Sequence, residues 1–290
     1  TTEIYTLSLH DALPICLGDL PQENGLTMDA KELIRAGKLT EARSQLVAEV
    51  KAAPADFSLR TLLFQVLCLL GEWDKAARHL DAVATQDIKS EVAAKAYQNL
   101  VHAEKQREEV FTSGRRPAFM PEMPSYADTF FELWDLVSKD CILDSEAACT
   151  SIIEALPLPS GTLNSKPFAG FRDTNSFLSP FFEAFVHDRY VWLPIGAVRE
   201  ITIAPPKTLF DTLWISCHLT TWEGLAMNCF LPSLYPLSHR HEDDRVKLGR
   251  MTDWKSAGGF FVRAMGQHVF EVGEEDVNLR EIRELVFALD

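Results

Sequence analysis

Apolar residues recur at helical spacing between residues 28 and 112. Asp29 is followed three residues later by Glu32, the capping-box pattern that begins a helix ahead of an apolar-periodic segment. A later helix is predicted over residues 90–111, with one apolar face formed by Val92, Ala96, Leu100 and Ala103. The pattern therefore predicts an all-helical region that ends in a capping helix.

This helical region repeats itself with a period of 34 residues. Residue types match in register at these pairs: Leu33 and Leu67, Gly37 and Gly71, Leu39 and Trp73, Ala42 and Ala76, Leu46 and Leu80. The spacing is the tetratricopeptide period, a helix–turn–helix unit. The glycines allow the chain to leave a helix in a left-handed conformation, and the alanines allow close helix packing. A tetratricopeptide-like array is the favoured interpretation of residues 28–112, with an ordinary helical bundle as the alternative.

Such arrays bind a peptide or a helix on their concave face and rarely carry chemistry. In the second repeat, four side chains recur at intervals of three or four residues: Ser58, Thr61, Gln65 and Cys68. That spacing places them on one side of a helix, which we expect to be the concave side. We predict that this strip contacts a bound peptide.

The pattern changes after the helical array. Pro117, Pro121 and Pro124 predict a linker over residues 113–125. Helical spacing resumes at residues 126–137 and 145–156, and the period then changes towards two. Strands are predicted at residues 190–195, 198–203, 212–219, 246–248, 260–263, 268–272 and 282–288, with a hairpin turn at Gly258 and Gly259. The prediction is an α+β fold, in which residues 126–290 form a β-rich domain: a small antiparallel sheet or partial barrel with flanking helices.

Residues 1–27 show neither a helical nor a strand period. The chain starts with Thr1, and its opening residues resemble a peptide translated from a sequencing adapter. Met28 is therefore the expected native start, with a disordered native tail as the alternative. In either case we predict that residues 1–27 carry no function.

Charge and composition exclude two classes of partner. The 290 residues hold 28 Lys and Arg against 42 Asp and Glu, a formal net charge of −14, whereas nucleic-acid binding relies on basic side chains. The longest apolar run, residues 62–70, is much shorter than the roughly 20 residues that span a bilayer, so membrane insertion is not expected. The six cysteines lack C-x-x-C spacing, which is typical of reduced thiols and predicts a cytoplasmic location.

Two groups of side chains are candidates for chemistry. One combines imidazole and carboxylate groups of the kind that transition metals accept: His239, His241, Asp243 and Asp244. The favoured interpretation of that group is a solvated loop without a metal. Cys217 and His218 are adjacent in a predicted strand, so their side chains should point to opposite faces of the sheet. The sequence contains no catalytic or cofactor-binding motif, and neither a cofactor nor enzymatic activity is predicted.

Five of the six tryptophans lie beyond residue 126. In strand-like context a tryptophan is usually a core residue, because it buries about 150–250 Å². The alternative is that one or two of them line an interaction surface, where tryptophan is enriched. Trp192 and Trp254 are the predicted surface residues.

The β-rich region carries short motifs in a fixed order: YVWLP (190–194), PPKTLFDTLW (205–214), LPSLYPLS (231–238), GRMTDW (249–254) and GQ (266–267). In combination these motifs resemble the ImpE family, also called TagJ, accessory proteins of type VI secretion gene clusters. The resemblance covers residues 28–290. One departure is His187 and Asp188, which stand where a glycine-containing turn is expected.

The resemblance implies a non-enzymatic role. Family members are cytoplasmic factors that bind the N-terminal helix of the small sheath subunit, TssB, and are linked to sheath assembly and to recycling by the ClpV unfoldase. A helix-binding adaptor agrees with the tetratricopeptide interpretation of the first region. The alternatives are a general tetratricopeptide adaptor or chaperone for another client protein, and an enzyme that uses residues 239–244.

Overall fold

The computed structural model describes residues 28–85, 88–138, 156, 158–258 and 261–289. The predicted tail at residues 1–27, nearly all of the helix predicted at residues 145–156, and Gly259 lie outside this part of the chain. Among the described helices, none combines the length and the apolar character that are needed to cross a membrane.

Five helices in the first part of the described chain each contact the next one along the sequence. They are α1 (Ala30–Arg35), α2 (Leu39–Ala52), α3 (Phe57–Leu69), α4 (Trp73–Ala84) and α5 (Ile88–Ser113). The predicted capping box is confirmed, because Asp29 and Glu32 accept hydrogen bonds from each other's backbone amides at 2.7 and 2.9 Å. Gly37 and Gly71 follow α1 and α3 with φ angles of +74° and +69°, which confirms the left-handed exits.

The buried face of α5 differs from the prediction. Val92 is 51% exposed, although Leu100 and Ala103 are buried as expected. Glu104 and Arg107 are buried as well, so this face of the helix carries charged side chains into the interior. Spacing of apolar residues alone does not reveal such a face, since a buried ion pair interrupts the pattern.

A nine-stranded sheet forms most of the second part. Its strands are β1 (Ala118–Phe119), β2 (Ser160–Leu163), β3 (Lys166–Ala169), β5 (Phe181–Val186), β6 (Arg189–Pro194), β7 (Val198–Ile203), β8 (Trp214–Thr221), β9 (Ala226–Pro232) and β14 (Glu284–Phe287). Across the sheet they lie in the order β1-β6-β5-β9-β8-β7-β14-β2-β3. Neighbours are antiparallel except that β1 runs parallel to β6. The sheet is larger than predicted, but the α+β class is confirmed.

Smaller elements surround this sheet. Strands β4 (Phe171–Asp173), β12 (Val269–Val272) and β13 (Glu275–Asn278) form a three-stranded sheet, and β10 (Thr252–Gly258) pairs with β11 (Phe261–Gly266). Helix α6 (Ala127–Ser138) follows β1 in the sequence. At the turn between β5 and β6, His187 adopts a φ of +58°, the left-handed conformation that explains the expectation of a glycine there.

The strand predicted at residues 246–248 is wrong. These residues belong to α7 (Asp244–Lys247) and its C-terminal cap, and both apolar side chains, Val246 and Leu248, are buried. The Asp243 carboxylate accepts a hydrogen bond of 2.8 Å from the Arg245 amide, which begins the helix. Alternating apolar and polar residues over three positions resemble a strand, but the Asp243 side chain caps a helix at this point and so decides the local conformation. Eight strands of the described chain were not predicted: β1 to β5, β9, β10 and β13.

The central strands are buried on both faces. In β5, Phe181 and Phe185 belong to the apolar cluster that contains the helices, whereas Phe182 and Ala184 belong to the cluster on the opposite side. That second cluster includes side chains from β4, β12 and β14. A sheet covered on both faces reads as a continuous apolar run, because neither face needs polar residues.

Candidate functional site

The strip predicted to contact a peptide lies on α3, but only Ser58 is exposed. Thr61, Gln65 and Cys68 are between 0% and 3% exposed. On the same helix the Phe64 ring packs against Phe210, with ring centroids 5.7 Å apart. Cys68 lines the same cavity as Leu213 and Tyr235 of the second half, so this end of the strip faces the junction between the helices and the sheet. The prediction that the strip contacts a bound peptide is therefore corrected for Thr61, Gln65 and Cys68, because they are buried.

The two predicted surface tryptophans have different environments. Trp192 on β6 is fully buried and stacks on Trp134 of α6, with centroids 5.8 Å apart and planes inclined by 4°. The surface role predicted for Trp192 is wrong, because α6 covers this face of the sheet. Trp254 on β10 is 45% exposed, and its indole N–H donates a hydrogen bond of 3.1 Å to Thr174 Oγ1. Of the pair, Trp254 is the one that a partner can reach.

A buried ionic network occupies the junction. The Arg107 guanidinium of α5 donates two hydrogen bonds to the Glu183 carboxylate of β5, at 2.8 and 2.6 Å, and a third of 2.7 Å to the Leu234 carbonyl. A longer contact of 3.4 Å joins Arg107 to Glu104. Glu104 in turn accepts a hydrogen bond of 3.0 Å from the Trp214 indole. The network thus joins α5 to three parts of the sheet region.

His268 extends the network towards β4. Its two ring nitrogens lie 3.0 Å from Asp173 Oδ2 and 3.1 Å from Glu183 Oε2. The Tyr235 hydroxyl donates to Asp173 Oδ1 at 2.7 Å, and the Tyr235 ring lies 4.0 Å from the imidazole, centroid to centroid. An imidazole that contacts a carboxylate through each nitrogen satisfies both only as the doubly protonated cation.

The pKa shifts agree with this arrangement. Burial raises the pKa of Glu183, but Arg107 and His268 outweigh that effect and lower it to about 2. Burial dominates for Glu104 and Asp173, whose pKa values are raised. For His268 burial lowers the pKa, yet the two carboxylates outweigh it and the net shift is upward. The charges are therefore matched to each other and sealed from solvent, as in a structural junction.

Sequence reasoning missed this network, although one signal was present. Glu183 is the only charged residue in the run FFEAFV, and a carboxylate inside an apolar strand needs a buried partner. The partner was not identifiable, because Arg107 lies 76 residues away and His268 lies 85 residues away.

Comparison with known proteins agrees with the motif analysis. Residues 165–286 match the family model described as ImpE protein. The chain is also 29% identical over 265 residues to the type VI secretion system accessory component TagJ of Pseudomonas aeruginosa strain PAO1, covering 91% of this chain and 93% of that protein. The resemblance to the ImpE family is confirmed. A crystal structure of a Vibrio parahaemolyticus protein shares the fold, with a TM-score of 0.78, 23% identity, and coverage of 90% of this chain and 98% of that one.

The matched ImpE region extends from the turn before β3 to β14, whereas α1–α6 lie outside the match. Several of the ImpE-like motif residues lie at the junction: Tyr190, Trp192, Trp214 and Tyr235. The Tyr190 hydroxyl donates a hydrogen bond to Glu183. The motifs thus supply side chains through which the matched region packs against the helices.

Residues 236–250, which we name the clasp, belong to the matched region and pack against the turns between the helices. The His239 ring lies edge-on to Trp73, with centroids 6.0 Å apart, and Trp73 donates a hydrogen bond of 3.1 Å to Glu108. A Cβ at Gly71 would lie 2.3 Å from the His239 ring. Glycine is therefore needed at position 71 for two reasons, the left-handed backbone and the close approach of the clasp.

The clasp also caps two helices. Asp244 Oδ2 accepts a hydrogen bond of 2.7 Å from the Leu39 amide, the first residue of α2. The Arg250 guanidinium donates hydrogen bonds of 3.0 and 2.6 Å to the carbonyls of Ile34 and Arg35 at the end of α1. Carboxylate at a helix N-terminus and cation at a C-terminus both complement the helix dipole.

These contacts correct the prediction of a solvated loop at residues 239–244. The side chain of His239 is only 16% exposed, and His241 Nε2 lies 3.0 Å from Asp253 Oδ2. The imidazole and carboxylate groups thus diverge towards different partners. Within the described ranges, no three His, Cys, Asp or Glu side chains are gathered as a metal site requires.

The predicted alternation at residues 217 and 218 is confirmed. Cys217 is buried, whereas His218 is exposed and lies 3.1 Å from Asn228 Oδ1. The Cys217 sulfur lies 3.4 Å from that of Cys229, its partner in the β8–β9 register, and both are free thiols. The hydrogen bond with Cys229 and burial both raise the pKa of Cys217, so this thiol is a poor nucleophile.

Proposed function

We propose that this protein is an accessory factor of a type VI secretion system and that it binds the N-terminal helix of the small sheath subunit, TssB. The observation that carries the proposal is the similarity along nearly the whole chain to the accessory component TagJ of Pseudomonas aeruginosa. The match to the ImpE family model gives independent support for residues 165–286.

We propose a non-enzymatic role for the protein, acting in the cytoplasm. The buried His268, Asp173 and Glu183 have the chemistry of an acid–base site, but each is at most 4% exposed and His268 contacts both carboxylates. Their arrangement favours a structural role over catalysis.

We propose that the helical part is a tetratricopeptide-like array whose inner face packs against the second half of the same chain. A general tetratricopeptide adaptor or chaperone for another client would use that inner face for binding. Here Phe64 and Tyr97 pack against Phe210 and Trp214 of the second half, so the face is already covered. This favours a sheath-specific accessory factor, which binds elsewhere on its surface, over the general adaptor.

The test is a calorimetric titration with a synthetic peptide of the N-terminal helix of the TssB encoded in the same genome. We expect saturable binding of the helix peptide and none of a scrambled peptide with the same composition. Absence of binding at high micromolar concentration, with a protein that unfolds cooperatively, would contradict the proposal. Sheath genes next to this gene would support it over the general adaptor.

A further inference from the structure

A groove lies where the end of α5, helix α6 and the β10–β11 hairpin meet. Its volume is about 590 Å³, which is room for several side chains of a partner. The apolar part of its lining consists of three aliphatic side chains and four aromatic ones, the latter being Phe111, Phe131, Trp134 and Phe177. Aromatic side chains are the residues that most often anchor a bound protein segment.

Basic side chains line the same groove: Arg115, Arg116, Lys255 and Arg263. Asp135 is the single carboxylate among the described residues of the lining. This sign of charge is the opposite of the whole chain, which has a formal net charge of −14. A basic patch on an acidic protein attracts acidic segments locally and is not explained by overall composition.

Two of the cations are held over aromatic rings. The Arg263 guanidinium carbon lies 4.7 Å from the centroid of Phe177, and that of Arg116 lies 4.7 Å from the centroid of Phe131. Partial burial lowers the pKa of Arg263, and no carboxylate of the described residues lies within ion-pair distance of it. Among the described residues the Arg263 guanidinium is thus partly desolvated and faces a ring, and its donors are available for a carboxylate of another molecule.

Three of the groove cations form ion pairs near the surface. Arg115 pairs with Glu109 and Arg116 pairs with Asp128, and in each pair more than half of both side chains is exposed. Lys255 is also mostly exposed and lies 3.6 Å from Asp253, whose side chain is 33% exposed. Ion pairs at such positions contribute little to stability. A carboxylate of a bound partner can therefore replace Glu109 or Asp128 at small cost.

We propose that this basic–aromatic groove is the docking site for the partner helix, and that the helix presents carboxylates beside an apolar or aromatic anchor. The inference rests on the proposed function, because it assigns a place on this protein to that interaction. The four aromatic rings that line the groove favour a protein segment over a simple anion as the ligand. A protein segment can pack apolar side chains against the rings, whereas a simple anion cannot.

The test compares variants in a titration with the labelled N-terminal helix peptide of TssB. The groove variants are Arg263→Glu and the double variant Arg116→Glu/Arg263→Glu. The matched control is Arg189→Glu, an exposed arginine at the start of β6. Thermal unfolding of each variant verifies that it is folded. We expect the double variant to bind at least about tenfold more weakly and the control to bind like the unaltered protein.

Two further arms separate the outcomes. Replacing acidic residues of the peptide by lysine is expected to restore binding to the double variant, and the affinity of the unaltered protein is expected to fall as salt is added. If the peptide binds the unaltered protein and the folded double variant equally well, the groove is not the docking site and the proposed function still stands. If the peptide fails to bind the unaltered protein, the proposed function itself is contradicted, and this inference falls with it.

Discussion

Helices meet the sheet region at two places that have similar residue types and opposite properties. At the buried junction, Arg107 and His268 face Glu183 and Asp173, and all four side chains are sealed from water. At the basic–aromatic groove, arginines lie over aromatic rings with only exposed carboxylates nearby. Charged and aromatic side chains thus form a closed structural site in one case and an accessible surface in the other.

The difference lies in whether every charge has an internal partner. A buried charge without one costs several kcal/mol, so the junction is complete within the chain. An exposed or half-exposed cation loses little when its partner changes, so the groove is free to exchange partners. We therefore expect changes at the junction to affect folding and changes in the groove to affect binding.

The largest effect is expected from removing the junction altogether. Residues 28–112 alone lose the cover of Phe210 and Trp214 over Phe64 and Tyr97, including the Tyr97–Phe210 stack with centroids 4.1 Å apart. We predict that this fragment lacks cooperative thermal unfolding and a dispersed NMR spectrum, whereas residues 28–290 show both. A well-folded fragment would instead support an independent domain that ends at residue 112.

The next largest effect is expected for Arg107→Met. This change removes the cation that Glu183 and Glu104 share, so that Glu183 keeps His268 as its cationic partner and Glu104 keeps a hydrogen bond from the Trp214 indole. We predict a loss of about 3–5 kcal/mol in the free energy of unfolding, measured with urea. The matched change in the groove is Arg115→Met, whose exposed pair with Glu109 contributes at most about 1 kcal/mol. Equal losses for the two variants would show that the junction and the groove do not differ as described.

The pH dependence of stability tests the charge state of the junction. The folded pKa of His268 is raised, so its stabilising contribution is complete below about pH 6.5 and is lost as pH rises through the folded pKa. The folded pKa of Glu183 is lowered to about 2, so its contribution is present above about pH 4.5 and is lost as pH falls towards 2.

We predict that His268→Gln destabilises the protein by up to about 3 kcal/mol at pH 6, and that the difference from the unaltered protein shrinks by pH 9. Urea unfolding at both pH values measures it. The exposed histidine of β8 provides the control, His218→Gln, for which we expect no such trend. A difference that is constant between pH 6 and pH 9 would mean that His268 is neutral in the folded protein.

The smallest difference between two matched variants is expected for two glycines with the same backbone conformation. Gly71 at the clasp and Gly114 in the groove have φ angles of +69° and +71°. A Cβ at Gly114 meets nothing within 4 Å, whereas one at Gly71 lies 2.3 Å from the His239 ring. We predict that Gly114→Ala costs about 1–2 kcal/mol from backbone strain alone, and that Gly71→Ala costs about 1–3 kcal/mol more.

Chemical denaturation of both variants measures this difference. The double variant Gly71→Ala/His239→Ala is expected to be more stable than the sum of its single changes implies, because removing the ring relieves the overlap. If Gly71→Ala and Gly114→Ala lower the free energy of unfolding equally, the clasp does not pack closely against the helical turn.

Local features were predictable from the sequence because neighbouring residues decide them. The Asp29 and Glu32 capping box, the left-handed exits at Gly37 and Gly71, and the bounds of β7 all follow from residues within a few positions. The α+β class followed from the change of period after the prolines, which also depends only on local spacing.

The orientation of the predicted strip was not predictable in the same way. Helical spacing places Thr61, Gln65 and Cys68 on one side of α3, but it does not say whether solvent, a partner or the chain itself lies there. Here residues more than 140 positions away cover that side, as the contact between Phe64 and Phe210 illustrates.

By itself the sequence determined the fold class, the helical turns and the family resemblance. Each of these depends on the order of residues along short segments. The tertiary structure decided which charges are buried and which are available. Arg107 and Arg263 are the same residue type, yet one finds a carboxylate 76 residues away and the other finds only an aromatic ring among the described residues. Long-range packing sets the hydration and the partners of a charged side chain, and local sequence contains neither.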